Sequence, residues 1–515
     1  MEQWNMVSNQ NAMNAALLNR IGEWNPQLLR EVKGRLKPAP VFLAIGAAVL
    51  LQGILILIAS EYNSYDQDFH WPVIFYGLNW ILPLTLLVCG VFLLTSDMAK
   101  ETRQGTLNFI RLSPQKSQSI LLGKLLGVPI AAYLFVALCL PLHFLAASQT
   151  YSTLSIFAVY SLWMAGCAFF YTLALLFGTV GKSNVSEQAR AGGASGITLM
   201  LVPYLLQGIN STWDMYAAGA PEYFTLHWFT LPLASASVGY GLTLTTGLVA
   251  TYWIWCALNR SYQNPQGTRL SKVQSYLAIA SLQFWFLGFA VPLEFREPEE
   301  ASVMLFSISL LNLVVILTTA FAITPERQLS LDWARYRHQQ IGKNRALIYD
   351  LLWGEKSPSI LAISCNIATI TLVWSAWAFF RLPNPEKTWA ILSLIISANL
   401  MLIYAAIVQL GMLNRSKKRM AIASASVFGS LLLPLVVLGA LGLTPYLSPA
   451  LWISLVFGGS WFVLQSTPQT LVLPVAFSLL SQLSLFALLN TTLTRTLKKV
   501  GESKTKALLN EGTKF

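Results

Sequence analysis

The residues whose types and spacing could support chemistry form no complete enzyme signature. The run from Gly178 to Ser183, Gly-Thr-Val-Gly-Lys-Ser, resembles a phosphate-binding loop. That loop needs four residues between its two glycines so that backbone amides can wrap the phosphates, but two are present here and Leu176 stands where the first glycine is required. The sequence also lacks a nucleophile elbow, a His-Glu-x-x-His pair and a paired-cysteine zinc pattern. We therefore expect no catalytic residue, no metal ligand and no nucleotide site on this chain.

The composition indicates an integral membrane protein. Of the 515 residues, 55% are hydrophobic and 11% are charged, whereas about 25% are charged in a typical soluble protein. So few charges cannot cover that much apolar surface in water, which excludes a soluble enzyme, a secreted disulfide scaffold and a disordered chain. The first apolar run begins near Val41 and no cleavage-like site precedes it, so we expect the N-terminus to be retained.

Twelve apolar runs are long enough to cross a bilayer, since a hydrocarbon core of about 30 Å requires roughly 20 helical residues. Two further stretches, 213–237 and 444–469, are broken by Pro, Gly and polar residues and are predicted to be re-entrant or interfacial. The predicted fold is an all-α polytopic membrane protein with about twelve transmembrane helices in two six-helix halves, residues 1–264 and 265–515. The predicted spans are 41–60, 72–95, 122–147, 153–180, 191–209, 238–258, 275–293, 302–323, 359–380, 388–412, 421–443 and 470–494.

The positions of Lys and Arg orient these spans, because basic residues concentrate in short cytoplasmic loops. If the N-terminus is cytoplasmic and the spans alternate, 31 of the 34 basic residues fall inside, and only Arg296, Arg381 and Lys387 fall outside. The 22 acidic residues divide into 12 inside and 10 outside, which gives +19 against −7. The net charge of +12 is therefore a topology signal that needs no nucleic-acid partner. Both termini are predicted to be cytoplasmic.

The predicted spans carry no Asp, Glu, Lys or Arg except near their ends, as with Lys124. A charge at the bilayer centre costs about 2.5–3.5 kcal/mol on the insertion scale, and ion-coupled carriers accept that cost because they use such charges. The absence disfavours a secondary transporter. Gly192 and Gly196 form a Gly-x-x-x-Gly pair that predicts close helix packing. Interhelical hydrogen bonds are favoured over substrate contacts for the polar residues Asn79, Asn312, Asn366, Asn399 and Gln482.

The segment from Asn25 to Pro38 predicts a short basic amphipathic helix before the first span. Asn25 is a suitable N-cap and Pro26 occupies the first helical position. The apolar residues of this segment recur at helical spacing, which suits a helix lying on the lipids of an anionic inner leaflet. An ordinary juxtamembrane anchor is the equally favoured alternative. The predicted apolar face comprises Leu29, Val32 and Leu36.

The loop between the second and third predicted spans carries the most informative motif. It reads Glu-Thr-Arg-Gln-Gly-Thr-Leu-Asn-Phe-Ile-Arg-Leu-Ser-Pro over residues 101–114, and Ile-Leu-Leu-Gly-Lys over residues 120–124 opens the next span. A short helix here with Leu107, Phe109 and Ile110 exposed would suit a groove on another protein. The loop resembles the Glu-x-x-x-Gly-Thr-Leu motif, followed by an apolar stretch, a Pro and a Gly-Lys, of permease subunits in ABC exporters of the ABC-2 type.

This resemblance covers roughly residues 20–260 and implies that the loop carries the helix that couples the permease to its ATPase subunit. ATP and Mg²⁺ would bind to that subunit, so no cofactor is expected on this chain. The broken stretch 213–237 is similar to the family's extracellular re-entrant element. The resemblance implies a coupling role for Glu101, Gly105, Thr106 and Leu107, with Pro114 and Lys124 at the exit of the loop.

The loop after the eighth predicted span, 325–358, corresponds by position to the coupling loop of the first half. It ends in Asp-Leu-Leu-Trp-Gly-Glu-Lys-Ser-Pro over residues 350–358 and lacks the Glu-x-x-x-Gly-Thr-Leu motif. The second half is therefore either a diverged permease half, which makes one chain a pseudo-dimer, or an added six-span domain of other purpose. We favour the diverged half. The residues of interest in this second cytoplasmic loop are Trp353, Gly354, Glu355 and Lys356.

The leading hypothesis is that the chain is the transmembrane permease subunit of an ATP-driven ABC exporter and is not itself an enzyme. The expected partners are an ABC ATPase subunit and membrane lipids, with a second copy of the chain as an open alternative. The resemblance and the retained N-terminus favour a bacterial inner membrane. One alternative is an ion-coupled secondary transporter, and a less favoured one is a membrane-embedded enzyme that modifies lipids or glycans. The sequence does not indicate the cargo.

Overall fold

The computed structural model describes residues 20–61, 69–179, 186–218, 226–295, 298–339, 344–416, 418–466 and 472–501. Helices make up 83% of the structure and strands are nearly absent from the described residues, which confirms the all-α fold class. The chain divides into two compact units. The first ends at Pro265 and the second begins at Gln266, except that Trp228–Thr230 group with the second unit.

Among its described residues, and counted from Pro26 onward, the first unit has six long helices and three short ones. The short helices precede or connect the long ones at positions where Pro or Gly interrupts the apolar run, because neither residue favours a helix interior. Shortly before the last helix, β1 (His227–Trp228) and β2 (Leu231–Pro232) pair as a two-stranded sheet. The helices are α1 (Pro26–Arg35), α2 (Pro38–Glu61), α3 (Trp71–Gln104), α4 (Thr106–Arg111), α5 (Ser117–Gly127), α6 (Ile130–Ala147), α7 (Thr153–Thr179), α8 (Glu187–Ala218) and α9 (Ala236–Gln263).

The described part of the second unit also has six long helices with short ones between them. Its first helix begins at a capping box, in which the Ser271 hydroxyl accepts from the amide of Gln274 and the Gln274 side chain accepts from the amide of Ser271. The helices are α10 (Lys272–Ala290), α11 (Pro298–Ile323), α12 (Arg327–Gln339), α13 (Asn344–Trp353), α14 (Ile360–Arg381), α15 (Glu386–Met412), α16 (Arg419–Ala440), α17 (Pro449–Leu455), α18 (Gly459–Ser466) and α19 (Val472–Gly501).

Eleven helices of the described chain are long and apolar enough to cross a membrane, and each coincides with a predicted span. The protein is therefore a polytopic membrane protein. The predicted fifth span, 191–209, lies within the 32-residue α8, which is not among the eleven, so the count of twelve stays a prediction. The predicted third span is interrupted at Pro129, which separates α5 from α6. The eleven helices are α2, α3, α6, α7, α9, α10, α11, α14, α15, α16 and α19.

Helix α3 is the central helix of the first unit and packs against α6, α7 and α8. Leu78, Leu82 and Leu94 on α3 are fully buried. Helix α2 buries a narrow stripe of small residues and leaves large apolar side chains such as Leu43 and Leu50 exposed. Large exposed apolar side chains along a long helix form the surface expected against lipid chains.

Buried amides connect the spans of the second unit. The Gln283 amide on α10 donates to Asn312 on α11 at 2.8 Å, and its oxygen accepts from the indole of Trp374 on α14 at 2.8 Å. Asn366 on α14 donates to the Ser275 hydroxyl on α10 at 3.0 Å. The prediction of interhelical hydrogen bonds is thus confirmed for Asn312 and Asn366. It is also confirmed for Gln482, which donates to backbone carbonyls of α17 at 3.2 Å.

The predicted packing role of Gly192 and Gly196 is wrong for the described residues, because both are exposed and a Cβ on either would meet no atom within 4 Å. In this part of α8 the buried small residue is Ala191. The close approach occurs between α3 and α7, where a Cβ on Gly90 would overlap the ring and hydroxyl of Tyr171.

Gly90→Ala is expected to destabilise the first unit by about 1–3 kcal/mol, the usual cost of overpacking. Tyr171 cannot easily move aside, because it is fully buried and its hydroxyl donates to the Leu86 carbonyl at 2.7 Å. The matched control is Gly192→Ala, which fills open space and is expected to be neutral or to stabilise by up to about 1 kcal/mol through helix propensity. Thermal unfolding in detergent measures both, and equal unfolding temperatures would contradict the assignment.

Candidate functional site

Five charged residues from three helices meet at one end of the first unit, the end that the charge distribution predicts to be cytoplasmic. Helix α3 has 34 residues, which corresponds to about 51 Å at about 1.5 Å per residue. That length exceeds the hydrocarbon core of about 30 Å, so its last turns extend past the apolar layer. We call these residues the charge cluster: Glu31 and Arg35 on α1, Asp97 and Glu101 on α3, and Lys124 on α5.

Lys124 lies at the centre of the charge cluster and is fully buried. Its Nζ is 2.6 Å from an oxygen of Asp97, 2.9 Å from one of Glu101 and 3.5 Å from one of Glu31. Burial alone would lower the pKa of the Lys124 ammonium, but the three carboxylates together raise that pKa above its ordinary value. A raised pKa keeps Lys124 charged at neutral pH, and a buried charge is tolerated only with such partners.

Arg35 supplies the second positive charge. Its Nε donates to Glu31 at 3.1 Å, and its terminal nitrogen pairs with Asp97. Glu31 also accepts from the Gln27 amide at 2.8 Å. The charge cluster has three carboxylates and two cations, which leaves one formal negative charge. The second carboxylate oxygen of Glu101 is buried without a hydrogen-bond partner among the described residues.

The carboxylates of the charge cluster have an arrangement that a metal ion could also use. One oxygen each from Glu31, Asp97 and Glu101 lie within 4.8 Å of one another. Hard cations such as Mg²⁺ and Ca²⁺ prefer oxygen ligands of this kind. The Lys124 ammonium, however, lies within ion-pair distance of all three carboxylates and takes the position that a cation would need. The donor set therefore fits a resident lysine better than a metal.

Helix α1 is fixed to α5 by close backbone approach. The predicted N-cap is confirmed, since the Asn25 side-chain oxygen accepts from the Leu28 amide at 3.0 Å, and its Nδ2 donates to the Ser119 carbonyl at 2.8 Å. A Cβ on Gly123 would lie 2.8 Å from the Leu28 nitrogen, and a Cβ on Gly127 would clash with Glu31. The protein-facing side of α1 is therefore polar, whereas the predicted apolar face leaves Leu36 exposed and Leu29 and Val32 half-buried.

Helix α4 follows α3 through Gly105, whose φ of +75° is the left-handed conformation that glycine adopts without strain. Leu107 is 2% exposed and Ile110 is half-buried against the same core. The expectation that Leu107 and Ile110 are exposed is therefore wrong, because residues one helical turn apart share a face and here that face points inward. The outward face presents Phe109, which is 77% exposed, and Leu112, which is 84% exposed.

The segment that contains α4 is also attached to the end of α9. The Arg111 guanidinium lies over the Tyr262 ring, 5.2 Å from its centroid. The Ser117 hydroxyl donates to Asn259 at 2.7 Å and accepts from Gln263 at 2.9 Å. The apolar pair Phe109 and Leu112 is thus presented by α4 and the residue that follows it, in a segment that contacts both the core and α9.

Of the residues predicted for coupling, the structure brings Glu101 and Lys124 into direct contact, and Thr106 donates to the Glu101 carbonyl at 3.4 Å. Pro114 is exposed just after α4 and is not part of the charge cluster. The residues that the sequence did not single out are Glu31, Arg35 and Asp97. Their spacing held a partial signal, since Glu31–Arg35 and Asp97–Glu101 are each four residues apart and so share a helix face.

The corresponding segment of the second unit is held by Lys272, which is 1% exposed at the start of α10. Its Nζ donates to the Leu351 carbonyl at 2.7 Å, the Ser357 hydroxyl at 2.7 Å and the Pro358 carbonyl at 3.1 Å. The Tyr276 hydroxyl donates to the next carbonyl, that of Leu352, at 2.8 Å. A lysine therefore organises the segment after the second span of each unit, with carboxylate partners in the first and carbonyl and hydroxyl partners in the second.

The predicted residues of this second loop lie beside the Lys272 site. Trp353 ends α13, is 44% exposed and packs edge-on against Tyr276 with ring centroids 5.6 Å apart. A Cβ on Gly354 would lie 2.5 Å from the Asp350 carbonyl oxygen, so the turn requires glycine. Glu355 and Lys356 are exposed.

Lys272→Met is expected to loosen residues 351–358, because hydrogen bonds from a charged donor are each worth about 1.5–3 kcal/mol. Amide hydrogen exchange of this segment should therefore accelerate by one to two orders of magnitude, since a loss of about 1.5–3 kcal/mol changes an equilibrium constant by roughly that factor. Lys356→Met, on the same segment but exposed, is the matched control and should leave exchange unchanged. Equal exchange in Lys272→Met and the unaltered protein would show that the contacts of Lys272 do not hold the segment.

A comparison of this chain with models of known families, with curated proteins and with solved structures finds no match.

Proposed function

We propose that this chain is the membrane permease subunit of an ATP-driven exporter and that a separate ATPase subunit binds to α4 and hydrolyses Mg-ATP. In this proposal the protein lies in a bacterial inner membrane, with the charge cluster and both termini on the cytoplasmic side. The observation that carries the proposal is the exposed pair Phe109 and Leu112, which lies on the short segment between α3 and α5, the two helices that the ion pairs of Lys124 with Asp97 and Glu101 join. In this proposal the pair lies at the cytoplasmic end, where it would be exposed to water without a partner, and buried apolar side chains of this kind act as anchors in protein interfaces.

The ion-pair network supports this interpretation because it joins α3 and α5, the two helices that flank the docking helix α4. Lys124 and Asp97 join the start of the α5–α6 segment to the end of α3 through a 2.6 Å contact. Arg35 joins α1 to α3 at the same place. In this proposal a displacement of α4 is passed to α3 and α5, which flank it, and through their ion pairs to α1.

The two units support the further proposal that one chain supplies both halves of a transporter. After α1, the described residues of the first unit form two long helices, two short ones, three long ones and a last long helix, which the β1–β2 pair precedes. The second unit has the same order of long and short helices, with α17 and α18 before its last helix. Within each unit the first long helix packs against the third, the second against the third and fourth, and the fourth against the fifth and sixth. We therefore favour a diverged repeat over an added domain of other purpose.

Co-purification tests the proposal. The tagged chain, expressed with an ATPase encoded beside its gene that carries a complete phosphate-binding loop, is expected to form a complex stable in detergent. In liposomes the complex should hydrolyse ATP faster than the same ATPase alone.

A different outcome would overturn the proposal. If no ATPase associates with the chain, and if liposomes that contain the chain alone dissipate an imposed proton or sodium gradient, the chain is an ion-coupled carrier. The charge cluster, with one formal negative charge in excess, would then be the first place to look for the ion.

A further inference from the structure

A surface groove in the first unit lies between the start of α1, the start of α5 and the side of α9. Its volume is about 350 Å³, at the lower end of the range of about 300–1,000 Å³ for small-molecule sites. This volume fits a polar headgroup and the first atoms attached to it rather than a whole lipid. We call it the interfacial groove, and its principal lining residues are Trp24, Lys116, Gln118, Ser119, Leu122 and Trp255.

The walls of the interfacial groove combine apolar surface with hydrogen-bond donors. Trp24, Leu122 and Trp255 supply aromatic and aliphatic surface, and each indole also carries one N–H donor. Lys116 and Gln118 add an ammonium and a carboxamide, and neither side chain has a hydrogen-bond or ion-pair partner among the described residues. A groove with an apolar wall and a set of unoccupied donors suits an amphipathic anion.

Lys116 is the charged residue that lines the interfacial groove, and the exposed Glu23 directly precedes the lining residue Trp24 in the chain. None of its lining residues is acidic. Glu31, on the adjoining helix α1, is committed to Lys124 and Arg35. Lys116 precedes the first residue of the 11-residue helix α5 and makes no side-chain capping bond there, so the positive end of that helix adds to the lysine charge.

The position of the groove selects among anionic ligands. Trp255 belongs to the membrane-spanning α9, five residues before its first basic residue, Arg260, whereas Lys116 and Gln118 lie on the connecting segment at its predicted cytoplasmic end. One wall therefore faces the apolar layer and the other faces water. Tryptophan is enriched at this boundary of a bilayer, and basic residues there attract anionic lipids.

We propose that the interfacial groove binds the headgroup of an anionic phospholipid from the leaflet on the predicted cytoplasmic side. The lipid phosphate lies at Lys116 and the first amides of α5, and the start of its acyl chains lies against Leu122 and Trp255. This site is separate from the ATPase-docking surface and does not depend on the exporter proposal.

Photolabelling tests this proposal on the full chain in nanodiscs of phosphatidylcholine. A trace of phosphatidylglycerol that carries a diazirine next to the headgroup is expected to label residues 116–127, and the corresponding phosphatidylcholine probe is expected to label them weakly. Lys116→Gln should lower labelling by phosphatidylglycerol about five-fold, the factor that corresponds to one surface lysine near an anionic leaflet. Leu122→Trp, which fills the groove, should lower it as well.

Lys100→Gln is the matched control, because Lys100 is an exposed lysine at the same end of the unit that does not line the groove, and its labelling should equal that of the unaltered chain. Equal labelling by the two lipids, or no loss in Lys116→Gln, would overturn the proposal. Glycerol 3-phosphate in millimolar excess serves as the water-soluble probe. Complete competition by it would also overturn the proposal, since the groove would then be a site for a soluble phosphate compound.

Discussion

Lys124→Met is expected to lower the unfolding free energy of the first unit by about 3–5 kcal/mol, the usual cost of removing one partner from a buried ion pair. The change leaves Glu31, Asp97 and Glu101 within 4.8 Å of one another without the cation that they share. Methionine has a similar length and no charge, so the loss of unfolding free energy reports on the missing ammonium charge rather than on a change in packing. Chemical unfolding of the detergent-solubilised protein, followed by tryptophan fluorescence, gives the difference.

Two further variants make this prediction specific. Lys100→Met removes an exposed lysine close to Glu101 on the same helix and should change stability by less than about 0.5 kcal/mol. Glu101→Gln added to Lys124→Met removes one of the repelling carboxylates and should restore part of the loss, so that the two changes are not additive. If Lys124→Met unfolds like Lys100→Met, the charge cluster does not stabilise the unit.

The contribution of Lys124 should also depend on pH in one direction. The pKa of Lys124 in the folded protein is raised above its ordinary value. The contribution of its charge to the unfolding free energy is therefore fully present at any pH below the pKa of the unfolded chain. It is lost as the pH rises through the folded-state pKa, above the ordinary range of lysine. The stability difference between Lys124→Met and the unaltered protein should therefore stay constant from pH 7 to pH 9.

Replacing Phe109 and Leu112 together by alanine is expected to weaken ATPase binding by about 30-fold or more, since truncating interface hot spots costs about 2 kcal/mol or more. Both side chains are largely exposed, so the unfolding temperature should not change. Binding of the ATPase subunit to the chain in nanodiscs, with ATP hydrolysis at saturating ATPase, measures the effect. This prediction rests on the exporter proposal.

The controls for this surface come from the same segment. Gln104→Ala alters an exposed residue directly before Gly105 and should leave binding unchanged. Leu107→Asp is a poor probe of docking, because Leu107 is 2% exposed and its change would destabilise the unit itself. If Phe109→Ala with Leu112→Ala binds the ATPase as tightly as Gln104→Ala does, α4 is not the docking surface.

Much of the architecture follows from local properties of the chain. Eleven of the twelve predicted spans coincide with a helix long and apolar enough to cross a membrane, and Asn25 and Pro26 predict the start of α1. The apolar run does not predict the helix break at Pro129. Val128 and Pro129 lie within a continuous apolar stretch, and hydropathy does not register that proline lacks a backbone N–H donor. The orientation of α4 was missed because its motif has apolar residues on both faces, so six residues cannot show which face meets the core.

The charge cluster could be predicted only in part. Glu101 and Lys124 were singled out by resemblance, while Asp97 and Arg35 lie 62 residues apart and are paired only by the packing of α1 against α5. Gly123 and Gly127 permit that packing, but one sequence does not show which helix fills the space beside a glycine. The same limit explains Gly192 and Gly196, whose spacing is shared by glycines that face lipid.

The contact of α1 with α5 has a mechanical consequence. Only Leu36 and Lys37 separate α1 from α2. Because the ion pairs of Glu31 and Arg35 hold α1 in place, this short connection also restricts the position of the first residues of α2. Glu31 and Arg35 thus tie the ends of α2, α3 and the α5–α6 segment to one another. We therefore expect a displacement at this end of the unit to be shared among three spans.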